Sequence, residues 1–234
     1  MKISGFQKLT LLDFPGKVSC IIFTQGCNFK CPYCQNSGLI GHENEYLIPE
    51  EEIFSYLKKR QGILDGIVIS GGEPTVQKDL DQFMRKVKEL GYQIKLDTNG
   101  SNPDLIKKLL DEELVDYVAM DIKNVLSEYK DVTGVKVLEE KIKKSIKILQ
   151  KSNIDHEFRT TIIKNIHDLD KILKICSYVK EDKMYLQNFE QSENVLDKDL
   201  QSFSKEELIN IQNKVKEKYP NVKVRGLWKG ENYV

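Results

Sequence analysis

The sequence has no excess charge of either sign and no long apolar run, and both absences exclude classes of protein. Its 234 residues carry 36 basic and 36 acidic side chains. A net charge of zero argues against a nucleic-acid partner, for which a basic excess is usual. No apolar run approaches the roughly 18–20 residues of a membrane-spanning helix. Asp13, Pro15, Gly16 and Lys17 interrupt the only apolar stretch near the N-terminus. We therefore expect neither a signal peptide nor a membrane partner.

Cysteine is also scarce, and its distribution is informative. Five cysteines are too few for a disulfide scaffold, and three of them lie within eight residues. Without a secretory signal we expect a cytoplasmic protein, and in that reducing compartment clustered cysteines indicate a metal or redox site. The other two, Cys20 and Cys176, lie among apolar residues and are expected to be buried thiols. His156 and His167 have no metal-type neighbours in the sequence.

Short apolar runs alternate along the chain with longer segments of helical periodicity, which is the pattern of an α/β fold. The predicted strands cover residues 17–23, 66–70, 92–97, 116–123, 156–163, 184–189 and 222–226. The predicted helices cover residues 50–61, 79–90, 102–113, 137–150, 168–179 and 205–218. We expect a partial (β/α)6 barrel with six or seven parallel strands, in a single domain over residues 1–234.

The remaining segments are expected to border this barrel. Residues 1–15 and 221–234 would be edge or closing pieces, and residues 121–136 and 190–202 would be long loops, which in compact domains are often functional. Ligands of parallel sheets collect at the carboxyl ends of the strands. The chemistry-bearing motifs should therefore be those that follow strands.

The loop after the first predicted strand contains Cys27, Cys31 and Cys34, separated by three and then two residues. A loop with this spacing can surround a compact metal centre, and thiolates are the usual ligands of iron–sulfur clusters and of structural zinc. Structural zinc needs four ligands; no fourth cysteine is near, although His42 could be recruited. Three cysteines on a four-iron cluster would leave one iron with an open coordination site, as catalysis requires. We favour the cluster and keep zinc as the alternative.

Three later strand ends also carry polar motifs. They are Ser-Gly-Gly-Glu-Pro at 70–74, Leu-Asp-Thr-Asn-Gly at 96–100 and Ala-Met-Asp-Ile-Lys at 119–123. Two adjacent glycines allow positive φ and a close approach of the backbone to a ligand, and Lys123 suits a carboxylate as a point charge. Each motif taken alone is equally typical of a turn or a solvated strand end.

Taken together, these motifs resemble those of the radical S-adenosylmethionine (SAM) superfamily. The Cys-x-x-x-Cys-x-x-Cys triplet with Tyr33 before its last cysteine is the most specific of them. The resemblance implies the radical SAM type of partial barrel and one 4Fe-4S cluster held by Cys27, Cys31 and Cys34. It also implies SAM chelated to the fourth iron, where one electron cleaves its sulfonium to methionine and a 5′-deoxyadenosyl radical.

The resemblance further implies which residues hold SAM. The amino group would be bound by Gly71, Gly72 and Glu73, and Tyr33 would lie against the adenine. The carboxylate and ribose would be surrounded by Asp97, Thr98, Asp121 and Lys123, with Asn99 in the same motif. Arg159 is a further candidate for the carboxylate, with a surface salt bridge as its alternative role. Asp97 and Asp121 could share a monovalent cation with that carboxylate.

Within the superfamily, the chain resembles glycyl-radical-enzyme activases, specifically the activating proteins of anaerobic ribonucleoside-triphosphate reductase. The similar segments are residues 13–17, Gln35-Asn36, Asp-Thr-Asn-Gly at 97–100 and Met-Asp-Ile-Lys at 120–123. This implies an oxidoreductase of anaerobic cells that removes a hydrogen from a glycine of a partner glycyl radical enzyme. A flavodoxin- or ferredoxin-type protein would donate the electron. The open side of a partial barrel suits such a macromolecular substrate.

Two other functions remain open from the sequence. One is a small-molecule radical SAM enzyme, such as a deazapurine-forming synthase, which also has a reduced barrel. The other is a non-catalytic module that binds a cluster or zinc without turning over SAM.

Overall fold

The computed structural model describes residues 1–41, 46–136 and 139–227, and these residues form eight strands in one sheet and seven α-helices. The strands are β1 (Ile3–Thr10), β2 (Ser19–Thr24), β3 (Gly66–Gly71), β4 (Gln93–Thr98), β5 (Tyr117–Asp121), β6 (Asp155–Ile162), β7 (Met184–Asn188) and β8 (Val222–Arg225). The helices are α1 (Glu50–Lys59), α2 (Leu80–Glu89), α3 (Pro103–Asp111), α4 (Tyr129–Thr133), α5 (Glu139–Gln150), α6 (Leu169–Val179) and α7 (Lys205–Lys216).

The sheet is open and mostly parallel. Its strands follow one another in chain order from β1 to β8, so β1 and β8 are the two edges. β2 to β8 pair in parallel, with a helix in each crossover, whereas β1 pairs with β2 in the antiparallel sense. The predicted open, parallel α/β fold is confirmed, with seven parallel strands.

The two faces of the sheet differ in chemistry because side chains alternate along a strand. One face packs with the helices into the main apolar core, which includes the fully buried Ile22, Ile69 and Met120. The opposite face carries a small apolar cluster around Val68 and Ala119. Nearer the carboxyl ends of the strands this inner face becomes charged, and it lines the cavity described below.

The structure differs from the sequence prediction mainly at the edges. Residues 1–15, expected only as an edge or closing piece, contain the full antiparallel strand β1, whose burial does not follow a strict alternation. The predicted long loop 121–136 contains the short helix α4, which ends at Gly134 with φ of 67°. Cys20 and Cys176 are fully buried, as predicted. Residues 137–138 and 228–234, part of a predicted helix and of a closing piece, lie outside the described residues.

In the described part of the chain, none of the helices has both the length and the apolar character needed to cross a membrane.

Candidate active site

A cavity of about 450 Å³ opens at the carboxyl ends of the parallel strands. All the site residues predicted from the sequence line it: Cys27, Cys31, Tyr33, Cys34, Gly71, Gly72, Glu73, Asp97, Thr98, Asn99, Asp121, Lys123 and Arg159. They belong to five successive strands or to the loops that follow them, from β2 to β6. Their convergence follows from the topology, because parallel strands present their carboxyl ends at one edge of a sheet.

The cysteine loop is held in place by its backbone. The Cys27 N–H donates to the carbonyl oxygen of Ile40 at 3.3 Å, and the Lys30 N–H donates to that of Thr133 at 2.7 Å. The N–H of Phe29 donates to the Cys27 sulfur at 3.4 Å. Burial raises the pKa of the Cys27 thiol to about 12, with the Phe29 N–H acting in the opposite direction. Burial likewise raises the pKa of Cys31, so both groups are thiols at neutral pH until a metal displaces their protons.

The three cysteines line one cavity without converging on one point. Within residues 1–41, 46–136 and 139–227, no three side chains of His, Cys, Asp or Glu are grouped to hold a single metal ion. A zinc ion needs four ligands about 2.0–2.3 Å away, whereas the thiolates of a 4Fe-4S cluster bind different irons. The arrangement of these thiols therefore differs from that of a preformed zinc site. His42, the fourth zinc ligand considered above, lies outside the described residues.

The glycine pair at the end of β3 is required by its packing against the end of β2 and the start of the cysteine loop. A Cβ atom on Gly71, which has φ of 119°, would lie 2.2 Å from the backbone nitrogen of Thr24. A Cβ on Gly72 would lie 2.1 Å from the carbonyl oxygen of Gly26, one residue before Cys27. Only glycine therefore fits at these positions, and its absence of a side chain brings the β3 end against the cysteine loop.

Glu73 is a buried carboxylate with four hydrogen-bond donors. Oε1 accepts from the Thr75 N–H at 3.1 Å, the Thr75 hydroxyl at 2.5 Å and the Thr98 hydroxyl at 2.7 Å, and Oε2 accepts from the Asn99 N–H at 2.7 Å. Burial raises the pKa of Glu73, and the four donors oppose that shift. Because Oε1 is saturated, Oε2 is the oxygen with acceptor capacity left toward the cavity.

Asn99 connects the β4 end to the cysteine loop. Its Nδ2 donates to Oδ1 of Asn28 at 2.9 Å, and the Asn28 Nδ2 donates to the Ser101 hydroxyl at 2.8 Å. The Ser101 N–H in turn donates to Asn99 Oδ1 at 3.0 Å. The side chains of Thr98 and Asn99 are therefore hydrogen-bonded within the protein, and these bonds fix the position of the cavity wall. Asn28 was not predicted as a site residue, because an exposed asparagine in a loop carries no distinguishing pattern.

Five charged side chains form a continuous chain of ion pairs, and four of them line the cavity. Lys95 Nζ donates to Asp97 at 2.6 Å, and Arg159 reaches Asp97 at 3.4 Å and Asp121 at 2.7 Å. Lys123 Nζ completes the chain by donating to Asp121 at 2.9 Å. Burial raises the pKa of both aspartates, but the neighbouring cations outweigh it and hold each pKa below its usual range. Arg159 thus lies between the two carboxylates for which a shared monovalent cation was considered above.

Two buried residues that were not predicted as site residues form hydrogen bonds with the backbone of Lys123. The Lys123 N–H donates to the hydroxyl oxygen of Tyr129 at 3.0 Å, and Nε2 of His167 bonds the Lys123 carbonyl oxygen at 3.2 Å. Tyr129 lies in α4, which was predicted as loop, and His167 precedes α6. Their role depends on tertiary contacts, so no local signal could have identified it.

The donor set fits a 4Fe-4S cluster and SAM. Three thiols share one loop, and an oxygen acceptor of Glu73 lies in the same cavity for an ammonium. Lys123 and Arg159 line the cavity as cations that could face a carboxylate, although each is also ion-paired to an aspartate. The Tyr33 hydroxyl is buried without a hydrogen-bond partner among the described residues. A buried unpaired hydroxyl is costly, and a bound group in the adjacent cavity would offer it a partner.

Comparison with known proteins agrees with this site. The sequence profile of the radical SAM superfamily matches residues 21–176. A protein of Methanocaldococcus jannaschii, named as a candidate glycyl-radical enzyme activating enzyme, is 39% identical over 195 residues, which cover 80% of each chain. A GTP 3′,8-cyclase of Helicobacter pylori is 28% identical over 194 residues, covering 76% of this chain and 56% of the cyclase.

The fold comparison gives the same architecture. The structure of a radical SAM methyltransferase from Sphaerobacter thermophilus matches with a TM-score of 0.70 and 14% identity, covering 93% of this chain and 68% of that one. At that identity the likeness concerns the fold alone.

Proposed function

The chain belongs to the radical SAM superfamily, and we propose that within it the protein activates a glycyl radical enzyme, with anaerobic ribonucleoside-triphosphate reductase as the partner. A flavodoxin- or ferredoxin-type protein would supply the electron. When bound, a 4Fe-4S cluster and SAM would provide a hydrogen-abstracting radical. The similarity to a relative named as a glycyl-radical enzyme activating enzyme supports the activating role, since it spans 80% of both chains.

The proposed roles of the residues follow from the donor set. Cys27, Cys31 and Cys34 would hold the cluster on a loop whose backbone is already anchored. Oε2 of Glu73, together with the glycine backbone before it, would accept from the ammonium of SAM. Lys123 and Arg159 would face its carboxylate while Asp97 and Asp121 balance their charge, as the ion pairs of the cavity wall allow.

The charge of the cavity favours an uncharged substrate over a nucleoside triphosphate. Among the described residues that line it, the cations are Lys123 and Arg159, and both are ion-paired to aspartate. The wall beyond Arg159 is formed by Thr161, Gln187 and other uncharged side chains, with Glu190 as an added acid. A triphosphate bound there would compete for these two cations with the aspartates and with the carboxylate of SAM. This observation favours a peptide over the GTP named for the cyclase relatives.

A glycine in a peptide is a suitable target for the chemistry. Removal of a hydrogen from its Cα leaves a radical delocalised over the two flanking amides, which makes abstraction by a primary alkyl radical favourable. The glycine must enter the cavity on an exposed loop of the partner, because the cavity is too small for a domain.

The test is direct formation of a glycyl radical. Protein reconstituted without oxygen, then reduced and mixed with SAM and the reductase of the same cell, should give a doublet glycyl signal by electron paramagnetic resonance. The reductase should then be cleaved at that glycine on exposure to air, and a Cys31→Ala variant should give neither result. Turnover of GTP or another small molecule, with no signal on any glycyl radical enzyme from the cell, would support the small-molecule alternative. Metal binding without SAM cleavage would support a non-catalytic module.

A further inference from the structure

On the part of the cavity wall formed by β6 and β7, two polar side chains have no hydrogen-bond partner within the described residues. Thr161 on β6 and Gln187 on β7 are directly paired across the two strands, so their side chains point to the same face. Both line the cavity. Thr161 is half-buried and Gln187 is exposed to the cavity opening.

The neighbouring polar side chains are committed to the protein itself. Asn188 exchanges two hydrogen bonds with the backbone of Phe203. Gln191 donates to the carbonyl oxygens of Asp197 and Lys198, and the Ser192 hydroxyl donates to Gln35. Thr161 and Gln187 therefore stand out on this wall as groups with unused hydrogen-bonding capacity.

Their position places them beside the proposed cofactor site. Arg159 precedes Thr161 by two residues on β6, so both side chains lie on the inner face. Arg159 donates a hydrogen bond to Asp121 on the neighbouring strand β5 at 2.7 Å. The wall formed by Thr161 and Gln187 thus begins beside Arg159 and extends from β6 to β7.

The rim above this wall is narrowed by the segment after β7. The carbonyl oxygen of Glu190 accepts from Gln35 Nε2 at 2.6 Å, and the N–H groups of Leu196 and Asp197 donate to the Pro32 carbonyl oxygen at 3.1 and 3.0 Å. These bonds join the β7 loop to the cysteine loop across the open side of the sheet. A substrate segment that passes this contact to reach Thr161 and Gln187 must therefore be narrow.

We propose that Thr161 and Gln187 form the substrate-binding wall of the cavity and recognise the backbone of an uncharged, extended peptide segment. This inference rests on the function proposed above and adds the residues that would hold the glycine. A glutamine amide carries one acceptor and two donor hydrogens, so it can pair with the N–H and C=O of a peptide. The Thr161 hydroxyl can donate to or accept from the adjacent peptide group.

The experiment compares Gln187→Leu and Thr161→Val with the wild type, and uses Gln82→Leu as a matched control. Gln82 is an exposed glutamine on α2, away from the cavity. The probe is a capped peptide copied from the glycine region of the reductase, with a second version in which two aspartates flank the glycine. Peptide-dependent glycyl radical and 5′-deoxyadenosine are measured, together with iron content and SAM affinity.

The expected result is a rise of about ten-fold or more in KM for the neutral peptide in each cavity variant, as for loss of a hydrogen bond near the upper end of the usual range. Iron content and SAM affinity should match the wild type, and Gln82→Leu should show the wild-type KM. The peptide with two aspartates should be the poorer substrate of the wild type.

The outcomes separate this inference from the function on which it rests. A wild-type protein that forms no radical on the reductase or its peptide would overturn both. Radical formation by the wild type, with an unchanged KM in both cavity variants, would overturn only the assignment of the wall. A preference for the peptide with two aspartates would overturn the inference that the substrate segment is uncharged.

Discussion

His167 donates a hydrogen bond from Nε2 to the backbone carbonyl oxygen of Lys123 at 3.2 Å. Its Nδ1 accepts from the Ile163 N–H at 3.1 Å, which defines the neutral tautomer. The ring is fully buried, and burial lowers its pKa to about 4. His167 is therefore a positioning residue, which holds the strand end that presents Lys123 to the cavity.

The first prediction concerns stability against pH. An unfolded histidine has a pKa of 6.5, so between pH 6.5 and about 4 the unfolded chain binds a proton that the folded protein excludes. The free energy of unfolding should therefore fall as the pH is lowered through this window, by an amount on the order of 3 kcal/mol from this residue. Denaturant unfolding of the metal-free protein at several pH values measures it.

A His167→Gln variant is the control for that experiment, because glutamine can still donate to the Lys123 carbonyl and does not titrate. Its unfolding free energy should change less than that of the wild type across the same window. Identical pH dependence in the two proteins would show that other groups are responsible.

The second prediction concerns the cluster. Anaerobic reconstitution of the wild type should load about four irons per chain, and Cys31→Ala should load far fewer because one of three thiolates is lost. Cys20→Ala is the matched control, since Cys20 is a fully buried thiol outside the cavity. Stoichiometric zinc in anaerobically purified protein, together with failure to take up iron, would contradict the prediction.

The third prediction concerns Gly72, which has no side chain. Gly72→Ala would place a Cβ 2.1 Å from the Gly26 carbonyl oxygen, so the cysteine loop must move. We expect a loss of about 1–3 kcal/mol in unfolding free energy and reduced iron uptake, although no cysteine is altered. Gly38→Ala, in the same loop region with no atom within 4 Å of the added Cβ, should behave as the wild type. Equal iron content in the two variants would count against a packing role for Gly72.

The fourth prediction concerns SAM binding. Lys123→Ala removes a cation from the cavity, and loss of a charge-assisted contact of ~1.5–3 kcal/mol should weaken SAM binding roughly ten- to a hundred-fold. Iron content should stay at the wild-type level because Lys123 is not a cluster ligand. Lys58→Ala on α1, at an exposed position, is the matched control. Unchanged SAM affinity measured by equilibrium binding would remove Lys123 from the proposed site.

Much of the fold was predictable because each strand and helix has a local period. The alternation of short apolar runs with helical segments located all seven parallel strands, and the structure moves their ends by one or two residues at most sites. β1 was predicted only as an edge piece because six of its eight residues are exposed or partly exposed and its burial does not alternate cleanly. α4 escaped because five residues are too short for a helical period to show.

The sequence by itself determined which residues could gather in one place. Every polar motif follows a strand of a parallel sheet, and that topology brings the strand ends to one edge whatever the details of packing. Only the tertiary structure decided how those residues are used. Arg159 pairs with an aspartate 62 residues earlier, and His167 holds a lysine 44 residues earlier. Glu73 accepts two of its four hydrogen bonds from Thr98 and Asn99, at the end of another strand. Thr161 and Gln187 are left free on the same wall. Contacts across such separations depend on three-dimensional packing and leave no periodic trace in the chain, so the free and the committed side chains cannot be told apart until it has folded.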